Sequence, residues 1–384
     1  MKPELETISR EKALLVQVVL GRRRTDEAEE SLAELERLAH TAGVKVMGRT
    51  TQKRQRPTPG FFIGEGKLAE LQLACRQTEA NLIIFDNELS AVQVNNLDLS
   101  LGIKVIDRTE LILQIFARRA RSAESQVQVE LAQLEYLVSR IPVSKRQQRF
   151  QGGIGMRGPG ESPLQLRNAP MRRRIKDLKR KLAGIQQRRK RTRSRRAWPL
   201  VCLVGYTNAG KSTLLNAFTE ADAYVDDRLF ATLDTKTRLV VLEKGKSALL
   251  TDTVGFIRQL PHGLIASFRS TLEVAAEADL LLLVADAGHS HVHDHLAVAR
   301  RTLEEIGAHE VATLVVFNKC DRKAAADALP GLKRSFPDAL AISARKGTGI
   351  PALRREIRRR IPRWAGDRAS PTQKDKSENS PVGA

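Results

Sequence analysis

LVCLVGYTNAGKSTLLNAF, residues 200–218, decides the fold: an apolar strand-length run, then G-x-x-x-x-G-K-S, then an apolar helical pattern. Such a loop between strand and helix wraps a polyphosphate with backbone N–H groups, and the helix N-terminus adds its own partial positive charge. Gly205, Tyr206, Thr207, Asn208, Ala209 and Gly210 form the loop, and Lys211, Ser212 and Thr213 open the helix. Lys211 would reach the β- and γ-phosphates and Ser212 Oγ would ligate Mg²⁺. A strand–helix turn without a ligand is the bland alternative, but Lys beside two glycines is otherwise a poor helix start.

Working outward, three further strings each end a predicted strand. Asp252, Thr253, Val254 and Gly255 make a D-x-x-G after the apolar run Ala248–Leu250. Asp252 would hold Mg²⁺ through water, and the Gly255 N–H would face the γ-phosphate. Asn318, Lys319, Cys320 and Asp321 (NKCD) follow Thr313–Phe317. The Asp321 carboxylate can accept two hydrogen bonds from guanine N1–H and N2, which adenine cannot offer. A buried carboxylate left unpaired would cost on the order of several kcal/mol. Ser343, Ala344 and Arg345 would brace the base through backbone N–H groups. A GTP site with Mg²⁺ as cofactor is therefore expected, and with it GTP hydrolysis to GDP and phosphate. Between the phosphate loop and Asp252, Phe230, Ala231, Thr232, Leu233 and Asp234 belong to LFATLDTKTR, residues 229–238, which must sense the γ-phosphate. Thr232, Thr235 and Thr237 are the candidates for a second Mg²⁺ hydroxyl. Phe256 stands where Ras-like enzymes carry a water-orienting Gln, so slow intrinsic hydrolysis is expected.

Charge points to the partner. The chain carries a formal +21. Between Lys145 and Ala197 stand 19 Lys or Arg against Glu161 and Asp177, a net +17 in one stretch. This is an electrostatic footprint for a polyanion, and the near absence of aromatics there favours backbone contacts to folded RNA over base stacking. A solvated linker is the plain alternative.

Length and pattern give the organisation. With 384 residues, 41% hydrophobic and 28% charged, the chain reads as a multidomain globular protein. No apolar run approaches the ~20 residues of a membrane span, though peripheral membrane association is left open. MKPELETISREKALL places acids where a secretory signal needs a basic end, so a cytoplasmic location is expected. Cys75, Cys202 and Cys320 lack any paired spacing and read as small core residues. Residues 1–108 alternate strand and helix patterns (strands at Ala13–Leu20, Val44–Met47, Leu82–Phe85 and Ile103–Ile106; a helix at Thr25–Thr41) and predict a small α/β domain with parallel strands. Residues 109–197 predict a basic helical hairpin: one long helix or two over 109–141, a glycine-rich tip QGGIGMRGPGESP (Gln151–Pro163), and a basic helix at Pro170–Arg189. Residues 198–361 predict a doubly wound GTPase (G) domain, and 362–384 a disordered tail. The fold class is thus α/β throughout, apart from the hairpin, and a monomer is expected.

Several strings carry a closer likeness. DTVGFIRQLPHGLIASFRSTLEVAAEADLLL (252–282), FATLDTKTR, IGEGKLAEL (63–71), FDNELSAVQVNNL (85–97), VELAQLEYLVSRI (129–141) and GGIGMRGPGE (152–161) resemble HflX GTPases over roughly residues 13–361. The resemblance implies binding to the large ribosomal subunit and its RNA, and the splitting or rescue of stalled or stressed ribosomes. It also implies Thr232 as the Mg²⁺-sensing threonine, beside Lys211 and Gly255. A GTP-dependent RNA- or protein-binding switch without splitting activity is the second reading. The chain departs from the family pattern at GPGESPLQ (158–165), where GPGETQLE is usual, and at VSKRQQRF (143–150), where a Trp-containing stretch is usual. Asn208 resembles the Asn of GTPases that recruit K⁺, with a hydrogen bond to its own loop as the competing reading.

Two signals are discounted. HSHVHDH, residues 289–295, resembles a metal box but falls where a polar loop is expected. Gly64-Glu65-Gly66-Lys67 lacks the following Ser/Thr of a phosphate loop, so a helix-entry turn or an RNA contact is favoured over an ATP site.

Overall fold

A computed structural model describes residues 8, 10–21, 25–140, 163–193, 197–219, 229–230, 232–242, 246–258 and 273–361. The glycine-rich tip before Pro163, VSKRQQRF, the tail from 362, and Ala231 lie outside those residues.

The first sheet has the order β2-β1-β3-β4, with β1 (Lys12–Leu20), β2 (Lys45–Arg54), β3 (Leu82–Phe85) and β4 (Lys104–Asp107) all parallel. β1 and β3 are buried along almost their whole length, so their apolar runs are continuous rather than alternating. β2 runs past Met47 to Arg54, because backbone pairing with β1 continues where hydropathy stops. It is an edge strand whose outer half, Thr50 to Arg54, is polar.

Helices α1 (Thr25–Thr41) and α4 (Arg108–Arg119) cover one face of this sheet, joining Leu15, Leu35, Leu38, Ile84, Ile112 and Phe116 in one core. Helices α2 (Glu65–Thr78) and α3 (Ala91–Leu101) cover the other. The GEGK string is the entry to α2: Gly64 is its N-cap, and the Lys67 ammonium lies 2.7 Å from Glu70 and 2.5 Å from the Thr50 hydroxyl. The 109–141 pattern resolves into two helices, α4 and α5 (Ala123–Ser139). Ser122 starts the second, its hydroxyl accepting from the Ser125 N–H.

The basic helix α6 (Pro163–Arg193) is longer than the pattern predicts and carries Pro170 inside it. It packs against α5 through Leu131, Leu134, Leu178 and Leu182. Arg174 forks onto Glu130 at 2.7 and 2.9 Å, and Lys179 meets Glu135 at 2.8 Å.

The second sheet has the order β10-β9-β8-β5-β7-β6. Its strands are β5 (Leu200–Val204), β6 (Lys236–Val241), β7 (Ser247–Asp252), β8 (Leu280–Asp286), β9 (Thr313–Asn318) and β10 (Leu340–Ala341), all parallel except β6. Helices α7 (Lys211–Thr219), α8 (Val292–Glu305), α9 (Lys323–Ser335) and α10 (Ile350–Arg360) complete a doubly wound domain. The site strings sit at the carboxyl ends of β5, β7 and β9, where open α/β sheets take ligands. Among the described residues no helix is long and apolar enough to cross a membrane.

Candidate functional site: a nucleotide cavity at the edge of the second sheet

The phosphate loop is shaped by close approach. Gly205 has φ +142°, and a Cβ there would stand 2.2 Å from the Val284 carbonyl oxygen; Gly210 has φ +91°, and a Cβ would stand 2.3 Å from Asn318 Nδ2. Asn208 also takes a left-handed φ of 59°. The loop is tied to the D-x-x-G segment by two main-chain bonds, Thr207 N–H to Phe256 O (2.7 Å) and Phe256 N–H to Gly205 O (3.0 Å).

A cavity of about 420 Å³ opens over this loop, enough for a nucleotide. Thr207, Asn208, Gly210, Lys211, Ser212 and Thr213 line its floor. Phe230, Thr232, Thr253 and Gly255 line one end, and Asn318, Lys319, Asp321, Ala344 and Arg345 the other. Arg322 also lines it. Sequence reading missed this residue, which lies one position beyond NKCD and outside any motif.

Lys211 is buried, and its ammonium donates to the carbonyls of Gly205 (3.0 Å) and Tyr206 (2.9 Å). Burial pushes its pKa down to about 8, against the pull of Asp252.

Three oxygens meet at the other end. Ser212 Oγ donates to Asp252 Oδ2 at 2.6 Å, Thr232 Oγ1 donates to the same oxygen at 3.0 Å, and the two hydroxyls are 2.9 Å apart. Of the three candidate threonines, Thr232 is the one that lies against Ser212 and Asp252. Thr237 instead pairs with Thr251 at 2.8 Å on the neighbouring strands. Asp252 is fully buried, and its second oxygen, Oδ1, has no hydrogen-bond partner. Burial raises its pKa despite Lys211 and the two hydroxyls. An all-oxygen donor set with an orphaned carboxylate oxygen fits a hard divalent ion such as Mg²⁺.

The base end is braced by Asn318. Its Nδ2 donates to Ala209 O, and its Oδ1 accepts from Ala344 N–H, both at 2.9 Å. Ser343 Oγ donates to Asp321 Oδ1 at 2.7 Å, which holds that carboxyl below its usual range. Asp321 is exposed, contrary to the buried carboxylate pictured from sequence, so only a bound base can desolvate it. Lys319 crosses the loop, its ammonium 2.6 Å from Asn208 O, 3.4 Å from Asn208 Oδ1 and 2.9 Å from Asp286.

Several residues expected at the nucleotide face elsewhere. Leu233 and Val254 are buried in the core of the first sheet, together with Leu229 and Ile257. Asp234 accepts from Ser122 Oγ at 2.6 Å and from the Arg121 and Ser122 N–H groups at 3.1 Å, which places it on the N-terminus of α5. Tyr206 donates its hydroxyl to Glu34 of α1. Cys320 is only part-buried and turns its sulfur toward Phe317 O. Gly205, Ala209, Asp252 and Ser343 are buried beside the lining rather than part of it.

All the lining residues lie beyond residue 200, and the N-terminal half reaches the site only from behind, through Leu229 and Phe230. Phe230 sets its ring edge-on to Phe116 of α4, with centroids 4.7 Å apart, and Leu229 N–H donates to Thr41 at 3.2 Å. Glu34 and Asp86 flank the buried Arg108, whose guanidinium also reaches Arg258 O at 3.1 Å.

The doubly wound sheet, its phosphate loop and the guanine-type loop define a P-loop GTPase. Three family descriptions match the chain one after another: GTP-binding GTPase N-terminal over residues 29–117, GTP-binding GTPase middle region over 119–196, and 50S ribosome-binding GTPase over 200–319. It is similar to the GTPase HflX of Caldanaerobacter subterraneus subsp. tengcongensis, at 47% identity over 81% of this chain and 73% of that one. It is similar also to the GTPase HflX of Escherichia coli K12, at 42% identity over 91% and 83%. Among solved structures, the GDP complex of SsGBP aligns with a TM-score of 0.50 and 26% identity, covering 91% of this chain and 98% of that one. The chain belongs to the HflX GTPase family, and it hydrolyses GTP.

Proposed function

We propose that this GTPase binds the large ribosomal subunit through ribosomal RNA when charged with GTP and Mg²⁺, and that it splits or rescues stalled or stressed ribosomes in the cytoplasm. The observation that carries the reading is the outer face of α6, where Arg172, Arg173, Lys176, Arg180 and Lys181 are all exposed on a helix anchored to α5. Such a face binds phosphates by counterion release and needs no base readout.

Residues 1–108, 109–197 and 198–361 divide the work into a sheet that holds the switch segments, an RNA-facing hairpin and a nucleotide domain. Ser212, Thr232 and Asp252 would hold Mg²⁺, which when bound neutralises charge on the β- and γ-phosphates. Lys211 holds its proton against those phosphates, the Gly255 N–H faces the γ-phosphate, and Asp321 selects guanine. Phe256 is buried beside Tyr206 and offers no hydrogen bond to an attacking water. Acceleration therefore comes from a subunit surface that orders the switches, or from K⁺ at Asn208, which must then displace the Lys319 ammonium now 3.4 Å from that side-chain oxygen.

Packing of Phe230 and Leu233 on the first sheet favours one other reading, a switch that acts through its GTP-bound shape without splitting. Co-sedimentation with large subunits in GTP and GDP, with splitting followed on a gradient, separates the two. Charge reversal at Arg172, Arg173, Lys176 and Lys181 should weaken co-sedimentation and flatten its salt dependence. Unaltered subunit binding in that variant contradicts the RNA-facing role of α6. Arg174 is left intact because Glu130 already holds it.

A further inference from the structure

The run HSHVHDH stays out of the nucleotide cavity, yet folding gives its imidazoles a partner from the first helix of the chain. His289 follows β8, His291 is the N-cap of α8, and His295 lies within that helix. Glu30 reaches them from α1. His289 Nε2 stands 3.8 Å from one Glu30 oxygen, and His291 Nε2 3.9 Å from the other. One donor atom from each of Glu30, His289 and His295 lies within 4.8 Å of the other two. Around a zinc-type ion with bonds of ~2.0–2.2 Å, tetrahedral donors stand about 3.3–3.6 Å apart, so the three must close by roughly 1 Å.

A second observation marks the spot. His295 is only 7% exposed, and its Nε2 has no hydrogen-bond partner. Its ring is fixed by stacking on Tyr206 at 3.7 Å, with the planes 6° apart, and the His289 ring lies 4.3 Å away. Buried nitrogens are normally paired, and an orphan on a fixed ring suits a ligand that brings an empty orbital rather than a proton. Burial, with His289, Arg258 and Arg37 nearby, brings the His295 pKa down to about 3, and burial lowers His289 as well. Both imidazoles are then neutral at pH 7, the form that coordinates metals. A cavity of about 40 Å³ lies beside both histidines, against Asp286 and the back of the phosphate loop, with room for a water as fourth ligand.

We propose that Glu30, His289 and His295 form a binding site for a transition-metal ion of the zinc type, clipping α1 of the first sheet to the G domain behind the phosphate loop. Two imidazoles and one carboxylate favour zinc, nickel or copper over Mg²⁺ and Ca²⁺. Binding requires two local changes. Arg37, 3.2 Å from Glu30, must release one carboxylate oxygen. The His291 N–H, which now donates to His289 Nδ1 at 3.1 Å, must turn away if His289 binds through Nε2, because Nδ1 then carries the proton.

The test uses the full chain, stripped with chelator and saturated with Mg²⁺ and GDP so that the nucleotide site is occupied. Titration with Co²⁺ should give one equivalent of four-coordinate visible absorption without thiolate charge transfer, displaced by Zn²⁺. Glu30→Gln and His289→Gln, at partly exposed positions that the fold tolerates, should each weaken Co²⁺ binding at least ~10-fold. They should also abolish the rise in melting temperature that Zn²⁺ gives the parent chain. His295→Ala should do the same, with retained GDP binding as its check on folding. Absence of the four-coordinate spectrum, or its persistence in both Gln variants, overturns the proposal.

Discussion

The two ends of the nucleotide cavity are held by different parts of the chain. The base end is braced inside the G domain: Asn318 joins the phosphate loop to the Ser343–Arg345 loop, and Ser343 fixes Asp321. The metal end brings Thr232 onto Ser212 and Asp252, but the residues around it are anchored on the first sheet and on α5. On the proposed function, guanine recognition is therefore a local property, whereas the reacting end depends on how the N-terminal half is seated. A partner that shifts that half can change turnover without changing what is bound.

The largest effect should come from Lys211→Ala, which removes the buried cation held on the phosphate loop. Single-turnover hydrolysis should fall by at least ~10²-fold. Parental turnover in that variant would mean that the phosphates lie elsewhere.

Next in size is a crossed pair. Thr232→Ala should lower turnover ~10²-fold and leave GDP affinity within about twofold, since it touches only the metal end. Asp321→Asn should lower GTP affinity ~10-fold or more and leave turnover at saturation nearly unchanged. Steady-state kinetics with nucleotide titrations read both, and a reversed pattern would break the division into two ends.

Phe230→Ala sharpens the comparison, because that residue belongs to the cavity and to the first sheet at once. Emptying a buried Phe site costs ~3–5 kcal/mol of stability in a well-packed core. Chemical denaturation should show a loss of that order, and turnover should change while GTP remains preferred over ATP. A stability change near zero would mean that the contact with Phe116 holds nothing.

The smallest effect is a pH dependence. Burial puts the Lys211 pKa near 8 in the free protein, and bound phosphates favour its charged form. Below pH 8 the lysine is charged before and after binding, so affinity should be flat. Above pH 8 binding must take up a proton, so nucleotide affinity should fall toward ~10-fold per pH unit. Isothermal titration from pH 7 to 9.5 measures this, and affinity that rises with pH would contradict the sign.

The phosphate loop, the D-x-x-G and NKCD were legible in the sequence because each is a local string whose backbone needs glycine or a fixed acid. The parallel sheets were legible too, from short apolar runs alternating with helical ones. Other features depend on distant partners and leave no local trace. Asp234 looks like any polar residue near a threonine until Ser122, 112 positions earlier, arrives beside it. Leu233 and Val254 carry no mark of which core they enter. The outer half of β2 is polar, so only its backbone pairing reveals it, and the break between α4 and α5 rests on Ser122 capping rather than on glycine or proline.

On the proposed function, this site turns over slowly until a large ribosomal subunit orders its metal end. The direct measurement is GTP turnover by the full chain with and without isolated large subunits, in Na⁺ and in K⁺. Slow hydrolysis by the protein alone in Na⁺ and a rise of at least ~10-fold with subunits are expected. Stimulation by K⁺ alone would assign the acceleration to Asn208. Fast hydrolysis in Na⁺ that subunits leave unchanged would contradict the account.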